Sequence, residues 1–214
     1  MTAMTRQAEA AAPWPEGLDW RPGFLDAAAQ ADLLAEIRAL LESAPLYRPC
    51  MPRSGKPFSV VMSNAGPLGW VADRNGYRYQ PRHPATGRPW PPIPESLLAI
   101  WRALAGYPAP PEACLINRYR EGARMGLHRD GDEAALEAPV VSVSLGDSAL
   151  FRIGGPRRND PTRSFRLHSG DVLVLGGKSR HCYHGVDRLL SGSSRLVPEG
   201  GRVNVTLRRV TPPP

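Results

Sequence analysis

Two histidines and one aspartate in this sequence have the residue types and the spacing of a metal site. His128 and Asp130 are separated by one residue, which on an extended segment directs both side chains to the same side. His184 follows the apolar run D-V-L-V-L (171 to 175), and a sheet could return it beside the first pair. Two imidazoles and one carboxylate suit non-haem Fe(II), because they leave coordination positions open. The alternative is a chance H-x-D pair and a histidine with no metal.

The polar face of the last strand offers a partner for such a metal. In R-V-N-V-T-L-R (202 to 208) polar and apolar residues alternate, so the polar ones share one face. If this face is buried, Arg202 and Arg208 need an anionic partner, and a dicarboxylate beside Fe(II) would supply it. Asn117 and Tyr119, two residues apart on an earlier segment, could complete that site. The alternative is an edge strand whose charged face meets water.

Short strands must position these side chains. From residue 113 onward the hydrophobic period is two, and each apolar run is bounded by Gly, Pro, Asn or Asp. No helical pattern separates the runs, which favours an antiparallel sandwich or jelly roll over a parallel sheet. The runs are A-C-L-I-N-R-Y (113 to 119), P-V-V-S-V-S-L-G (139 to 146), A-L-F-R-I-G-G (149 to 155), S-F-R-L-H-S-G-D-V-L-V-L-G-G (164 to 177) and V-N-V-T-L-R-R-V (203 to 210).

Two helices are predicted before these strands. Asp26 has the residue type of an N-cap, and leucines and an isoleucine then recur at helical spacing. A second apolar stripe predicts a helix over residues 95–105. The stretch 47–94 between them is dense in Pro, Gly and Arg, with a turn signal at Asn75-Gly76. We expect it to form hairpins and loops rather than core.

Composition narrows the classes of partner and compartment. The chain has 214 residues and a formal net charge of +7, so a polyanion such as a nucleic acid is a plausible partner, although charge also serves solubility. Three scattered cysteines support neither a disulfide framework nor a zinc site built from cysteines. Since no apolar segment predicts a signal peptide or a membrane span, we expect a cytoplasmic protein without a membrane partner. Nothing in the pattern indicates more than a monomer.

Eight motifs occur in order along the second two thirds of the chain. They are N-A-G-P-L-G-W (64 to 70), N-R-Y (117 to 119), L-H-R-D-G-D-E (127 to 133), V-S-V-S-L-G (141 to 146), R-R-N-D-P (157 to 161), G-D-V-L-V-L-G-G (170 to 177), Y-H-G (183 to 185) and R-V-N-V-T-L-R (202 to 208). In order and spacing this stretch resembles the bacterial AlkB family, the Fe(II)- and 2-oxoglutarate-dependent dioxygenases that demethylate nucleic-acid bases.

The resemblance implies a cofactor, two co-substrates and the residues that bind them. Fe(II) would be the cofactor, and 2-oxoglutarate and O₂ the co-substrates. By resemblance the iron ligands are His128, Asp130 and His184, which with Arg208 form the catalytic set. The 2-oxoglutarate-binding residues implied in the same way are Asn117, Tyr119, Arg202, Asn204 and Arg208.

The resemblance also implies the contacts to the substrate. Trp70 would stack on the target base, and Asp132 would face its exocyclic amine. Tyr77 and Arg78 would lie near the substrate backbone, with Arg158 as a further contact. Their ordinary alternatives are a core tryptophan, a loop tyrosine and solvated charges. The expected reaction removes methyl groups from N1-methyladenine and N3-methylcytosine in DNA, and we extend it to RNA, with succinate, CO₂ and formaldehyde as products.

The same resemblance implies a fold and a division of the chain. We expect a mainly β protein with flanking helices, built as a double-stranded β-helix (jelly roll) with an N-terminal helical extension and a substrate-binding lid. Residues 1–20 are rich in Ala and Pro and have no periodic apolar pattern, so composition rather than the resemblance predicts a flexible arm there. Residues 21–112 would form the extension and the nucleotide-recognition lid, integrated with a catalytic core at 113–214.

Several residues depart from the family pattern, and three rival functions stay open. Leu175, His181 and Cys182 lie near the expected iron ligand and differ from the residues we expect there, and segment 47–63 of the lid is the least similar. One rival is a non-catalytic nucleic-acid binder. Others are an oxygenase of this fold with another substrate, and a zinc hydrolase, which would leave the paired arginines unexplained.

Overall fold

A computed structural model of the chain describes residues 14–213. Within them the chain forms two α-helices, one short 3₁₀ helix and twelve β-strands. The helices are α1 (Ala27–Ser43) and α2 (Glu95–Leu104), and the 3₁₀ helix spans Gly177–His181. The strands are β1 (Leu18–Arg21), β2 (Val61–Ala65), β3 (Gly69–Asp73), β4 (Gly76–Gln80), β5 (Ala113–Tyr119), β6 (Met125–His128), β7 (Val140–Gly146), β8 (Ser148–Ile153), β9 (Arg163–Leu167), β10 (Val172–Leu175), β11 (His184–Leu190) and β12 (Arg202–Arg208).

Ten of these strands form two antiparallel sheets. The major sheet has the order β1-β10-β7-β12-β5-β2, and the minor sheet has the order β6-β11-β8-β9. Side chains of both sheets meet in one apolar cluster, in which Leu173 and Leu175 of the major sheet pack with Phe151 and Val186 of the minor sheet. The predicted jelly roll is confirmed. Strands β3 and β4 form a separate hairpin.

Both predicted helices are confirmed and cover the outer face of the major sheet. The Asp26 carboxylate accepts a hydrogen bond from the backbone nitrogen of Ala29 at 2.8 Å, which caps α1. The helix then buries an apolar stripe that includes Ile37, while α2 buries Trp101. Both pack in one cluster with the odd-numbered residues of β12.

The alternation of β12 therefore divides two layers. Val205 and its odd-numbered neighbours face the helices, so the even-numbered residues face the space between the sheets. Arg202 is 1% exposed and Arg208 is 7% exposed. The alternative of a solvated edge strand is wrong, because β12 lies in the middle of the major sheet between β5 and β7.

The N-terminal half contributes more to the core than its composition predicts. The predicted arm at 1–20 is wrong from Leu18 onward, because β1 begins there and pairs with β10 at the edge of the major sheet; residues 1–13 lie outside the described residues. The stretch 47–94 is not only hairpins and loops, since β2 pairs with β5 and is largely buried. The predicted boundary after residue 112 thus does not separate the strands of this sheet.

The hairpin that follows β2 turns one residue before the predicted Asn75-Gly76 position, since its two turn residues are Arg74 and Asn75. Asp73 pairs with Gly76 across a two-residue turn, and Gly76 has a φ of 112°, which a residue with a side chain adopts only with strain.

Within residues 14–213 no helix is long and apolar enough to cross a membrane.

Candidate active site

Two paired strands bring the three predicted metal ligands together. His128 ends β6 and His184 begins β11, and the two are partners in the antiparallel ladder. Their ring centroids are 4.6 Å apart. Asp130 follows β6, and one ligand atom from each of the three side chains lies within 4.8 Å of the others. The two imidazoles and the carboxylate therefore lie close enough together to share one metal ion.

Backbone carbonyls fix which histidine nitrogen is free. The Nδ1 of His128 lies 2.9 Å from the carbonyl oxygen of Gly126, and the Nδ1 of His184 lies 3.1 Å from that of Cys182. Because a carbonyl oxygen only accepts, each Nδ1 carries a proton, so in the neutral ring the lone pair lies on Nε2. Burial, followed by the neighbouring His128, lowers the pKa of His184 to about 4, so its ring is neutral and able to ligate.

The two oxygens of Asp130 have different partners. Oδ2 accepts hydrogen bonds from Arg208, at 2.9 Å from Nη2 and 3.2 Å from Nε. Oδ1 lies 3.7 Å from the Nε2 of His128. Burial alone would raise the pKa of Asp130, but Arg208 and the two histidines outweigh it and hold that pKa well below its usual range. The carboxylate is therefore ionised, with Oδ1 directed toward the histidines.

The buried face of β12 meets the matching face of β5. Arg202 pairs with Tyr119, and Asn204 pairs with Asn117. The guanidinium of Arg202 donates to the Ser144 hydroxyl at 2.6 Å. Burial lowers the pKa of Arg202 to about 10, which reflects the free energy lost when a guanidinium leaves water with no carboxylate bound to it.

Several buried polar atoms on this face have no hydrogen-bond partner among the described residues. They include the Nε of Arg202, the Nη1 of Arg208 and the Oδ1 of Asn117. All three residues line a cavity of about 670 Å³ that the three metal ligands also line. Unpaired, buried guanidinium nitrogens require an anionic partner. The donor set thus fits a small dicarboxylate bound next to the metal position, as 2-oxoglutarate would be.

Asn204 and Tyr119 also line this cavity. The Asn204 side chain donates to the Ser142 hydroxyl at 2.8 Å and accepts from Thr206 at 3.1 Å, so both ends of its amide are engaged. Burial raises the pKa of Tyr119 to about 12, which keeps its phenol protonated. The structure brings every predicted 2-oxoglutarate residue to this cavity.

The hairpin contributes the opposite wall. Trp70 on β3 donates from its indole nitrogen to the Asp132 carboxylate at 2.8 Å. The Tyr77 ring stacks on Trp70 with centroids 5.6 Å apart and an interplanar angle of 15°. The backbone of Trp70 is held by the Asn64 side chain through two hydrogen bonds of 3.0 Å. Trp70, Tyr77 and Asp132 all line the cavity.

The two remaining predicted substrate contacts differ in place. Arg158 lines the cavity and donates to the backbone carbonyl of Leu127 at 2.9 Å. Arg78 does not line it. Its guanidinium forms two hydrogen bonds with Asp73, at 2.9 and 2.8 Å, because alternation along β4 directs Arg78 away from the Tyr77 side.

Tyr79, Glu133 and Arg180 lie close to the predicted site residues but carried no predicted role. Glu133 and Arg180 form a buried ion pair at 2.9 Å, and the Tyr79 hydroxyl donates to Glu133. Glu133 lies within the motif L-H-R-D-G-D-E, and Tyr79 shares the parity of Tyr77, so both carried a weak signal. Arg180 had none in the sequence.

The residues that depart from the family pattern have separate environments. Leu175 is buried and lines the cavity. His181 is exposed. Cys182 is buried, and its backbone carbonyl accepts the hydrogen bond that orients His184.

Comparison with known proteins agrees with this geometry. The family model of the 2OG-Fe(II) oxygenase superfamily matches residues 17–208. The chain is therefore an Fe(II)- and 2-oxoglutarate-dependent dioxygenase, an enzyme that uses O₂ as its second co-substrate.

Its relatives place it more narrowly. The alpha-ketoglutarate-dependent dioxygenase AlkB homolog of Caulobacter vibrioides (strain NA1000 / CB15N) is 56% identical over 195 residues, which cover 90% of this chain and 87% of the relative. The alpha-ketoglutarate-dependent dioxygenase AlkB of Escherichia coli (strain K12) is 43% identical over 208 residues, covering 93% and 94%. The solved structure of OsALKBH1 matches with a TM-score of 0.77 and 31% identity, over 92% of this chain and 98% of that one. The chain belongs to the bacterial AlkB family.

Proposed function

We propose that this enzyme removes methyl groups from N-alkylated nucleic-acid bases, with N1-methyladenine and N3-methylcytosine in DNA as its substrates. The observation that carries the proposal is that one cavity is lined both by the metal and dicarboxylate residues and by Trp70 and Asp132. A methylated base between these walls would present its methyl group to the metal. Relatives support a nucleic-acid substrate, since one more distant match is the tRNA demethylase abh1 of Schizosaccharomyces pombe.

The metal site and the co-substrate site would act through separate residues. His128, His184 and the Oδ1 of Asp130 would hold Fe(II), and the Nε of Arg202 would bind the far carboxylate of 2-oxoglutarate. The unpaired Nη1 of Arg208 would face the end nearer the metal. Bound there, Fe(II) would supply the activation of O₂ that oxidation of the methyl carbon requires, coupled to conversion of 2-oxoglutarate to succinate and CO₂. The resulting N-hydroxymethyl base would lose formaldehyde.

Residues on the base-facing wall would select a cationic base. N1-methyladenine and N3-methylcytosine carry positive charge near neutral pH, and both an aromatic face and a carboxylate stabilise a cation. Trp70 and Asp132 supply these two groups. A methylated base also pairs poorly, so it leaves the stack at a lower free-energy cost than an intact one.

The rival functions make different demands on the site. A non-catalytic nucleic-acid binder has no need for three converging ligands or for unpaired, buried guanidinium nitrogens. A zinc hydrolase has no use for Arg202 and Arg208 together. An oxygenase with another substrate remains the second candidate, and the substrate comparison below separates it.

Formaldehyde release tests the proposal. The protein is incubated with Fe(II), ascorbate, 2-oxoglutarate and O₂, together with an oligonucleotide that contains one N3-methylcytosine. We expect one formaldehyde per repaired base, and release at background level from the Asp130→Ala variant. Equal release by the two proteins would remove the enzymatic proposal.

The form of the nucleic acid is a finer part of the proposal. Methylated single-stranded DNA, duplex DNA and RNA of one sequence are compared in the same assay. We expect turnover on DNA and extend the proposal to RNA. Succinate formation without formaldehyde from any of the three oligomers would instead favour an oxygenase with another substrate. The expected cytoplasmic location and monomeric state stay predictions.

A further inference from the structure

Four charged side chains form a buried ring that includes one of the predicted metal ligands. Its members are Asp130, Arg180, Glu133 and Arg208. The side chains of Arg180 and Glu133 are each 2% exposed, although neither is among the predicted ligands or co-substrate residues. Arg180 belongs to the 3₁₀ helix that precedes His184.

All three guanidinium nitrogens of Arg180 donate hydrogen bonds, each to a different acceptor. Nη2 donates to the Oε2 of Glu133 at 2.9 Å, and Nη1 donates to the backbone carbonyl of Asp130 at 2.8 Å. Nε donates to the carbonyl of Ala138 at 3.0 Å. A lysine ammonium lacks this planar arrangement of donors, so it could not hold all three acceptors in the same geometry.

Glu133 continues the ring through its other oxygen. Its Oε1 accepts from the Tyr79 hydroxyl and lies 3.3 Å from the Nε of Arg208. Arg208 in turn binds the Oδ2 of Asp130. The ring therefore holds Asp130 twice, by its backbone carbonyl through Arg180 and by its carboxylate through Arg208.

We propose that Arg180 and Glu133 are positioning residues for metal and 2-oxoglutarate binding. Arg180 fixes the backbone at Asp130, so that Oδ1 stays directed at the histidines. Glu133 fixes the Nε side of Arg208, so that Nη1 stays available to the co-substrate. The inference rests on the proposed roles of Asp130 and Arg208, but it does not depend on which base is repaired.

The opposing interpretation is an ordinary structural ion pair. Such a pair would change the melting temperature when altered, but it would leave the metal affinity of the folded protein unchanged. Metal affinity is therefore the deciding measurement, because partners that orient a ligand typically change it by about 10- to 100-fold when they are mutated.

The experiment titrates Mn(II) alone into the full chain and follows free Mn(II) by electron paramagnetic resonance. It compares the wild type with Arg180→Lys at a temperature where circular dichroism shows both folded. We expect Arg180→Lys to raise the Mn(II) dissociation constant roughly tenfold. An unchanged constant in a folded Arg180→Lys protein would overturn the role of Arg180.

Arg209→Lys is the matched control. Arg209 donates to the carbonyls of Thr211 at 2.6 Å and Pro110 at 3.3 Å and lies 3.5 Å from Glu112. It has a similar set of partners, but none of them belongs to the ring or to the predicted metal ligands, so its Mn(II) constant should equal that of the wild type. An equal weakening in both variants would show a general loss of stability and overturn the proposal.

Glu133→Gln tests the second half of the ring with little change in shape. The amide can still accept from Arg180, but Arg208 loses the negative charge beside its Nε. We expect 2-oxoglutarate to bind the Mn(II)-loaded variant roughly tenfold more weakly, with Mn(II) affinity changed less than threefold. Unchanged 2-oxoglutarate affinity would overturn the role of Glu133, which this variant tests even if Arg180→Lys fails to fold.

Asp130→Ala distinguishes a failure of this inference from a failure of the metal-site assignment on which it rests. The variant should lose the high-affinity Mn(II) site that the wild type shows. If wild type and Asp130→Ala bound Mn(II) equally, the metal assignment itself would be wrong. If only Asp130→Ala differed from the wild type, the ligand would stand and the ring would be structural.

Discussion

The two walls of the active-site cavity are built in different ways. The co-substrate wall consists of central strands, and its polar residues, such as Arg202 and Asn117, are buried with atoms that lack partners among the residues described. The base-facing wall is a two-stranded hairpin whose Tyr77 is 45% exposed. There Trp70 is already engaged, by hydrogen bonding to Asp132 and by stacking on Tyr77.

Because of this difference, a ligand can bind the co-substrate wall without breaking existing contacts, whereas a base on the hairpin must replace contacts already present. The co-substrate wall is held by continuous ladders on both sides of β12, so a ligand there gains contacts without breaking others. On the hairpin, a base that stacks on Trp70 competes with Tyr77, and an amine that binds Asp132 competes with the indole. We therefore expect substitutions on the first wall to have larger effects than those on the second.

The largest effect is expected from Arg202→Met. The variant removes the buried Nε that the co-substrate would meet, together with its charge, while it keeps most of the apolar stem. Charge-assisted hydrogen bonds contribute about 1.5–3 kcal/mol, so KM for 2-oxoglutarate should rise about 100-fold in a succinate assay. A KM within threefold of the wild type would contradict the placement of the far carboxylate.

A smaller effect is expected from Trp70→Ala on the second wall. Stacking of a base on an aromatic side chain contributes about 1–3 kcal/mol, and part of it is offset by the lost contact with Tyr77. KM for a methylated oligonucleotide should rise about tenfold, with KM for 2-oxoglutarate unchanged.

Trp70→Phe is the control for that prediction. It keeps an aromatic face but cannot donate to Asp132, so KM for the oligonucleotide should stay within about threefold of the wild type. If Phe and Ala were equally impaired, the hydrogen bond to Asp132 rather than stacking would be the contribution of Trp70.

The substitution of Arg202 that weakens 2-oxoglutarate binding should stabilise the folded protein when 2-oxoglutarate is absent. Burial holds the pKa of Arg202 at about 10, below its usual range, so its charge is less stable in the folded than in the unfolded state. Arg202→Met should therefore raise the free energy of unfolding by about 1 kcal/mol without 2-oxoglutarate. Urea denaturation at neutral pH measures this, and a loss of stability would show that the Ser144 hydrogen bond outweighs the desolvation of the guanidinium.

The smallest effect is expected from Arg78→Ala. Since Arg78 is paired with Asp73 and lies outside the cavity lining, KM for the oligonucleotide should change less than twofold. A tenfold rise would restore the predicted contact with the substrate backbone and extend the second wall to the other face of the hairpin.

Some elements could be predicted because one local pattern determines them. The alternation in β12 placed Arg202 and Arg208 on one face, and the structure buries that face. The N-cap at Asp26 and the turn signal at Asn75-Gly76 depend on neighbouring residues. The N-cap is confirmed, and the turn lies one residue before its signal. The convergence of His128 with His184 needed the family resemblance, because pairing of β6 with β11 is a long-range property.

Other features had no local signal. Strand β2 has the sequence V-M-S-N-A and is buried on both faces over most of its length, so it shows no clean alternation. Strand β1 has only four residues. Arg180 reaches Glu133 across 47 positions of sequence, and no periodicity encodes such a contact. Position 78 was assigned by resemblance, whereas the pairing of Arg78 with Asp73 depends on the parity of β4.

The central claim is that His128, Asp130 and His184 hold one Fe(II) against a bound 2-oxoglutarate. Chelation of Fe(II) by a keto acid produces a visible charge-transfer absorption, which can be recorded without O₂ and without nucleic acid. We predict that the wild type develops this band when both are added, and that His184→Ala does not. A band of equal intensity in His184→Ala would contradict the claim.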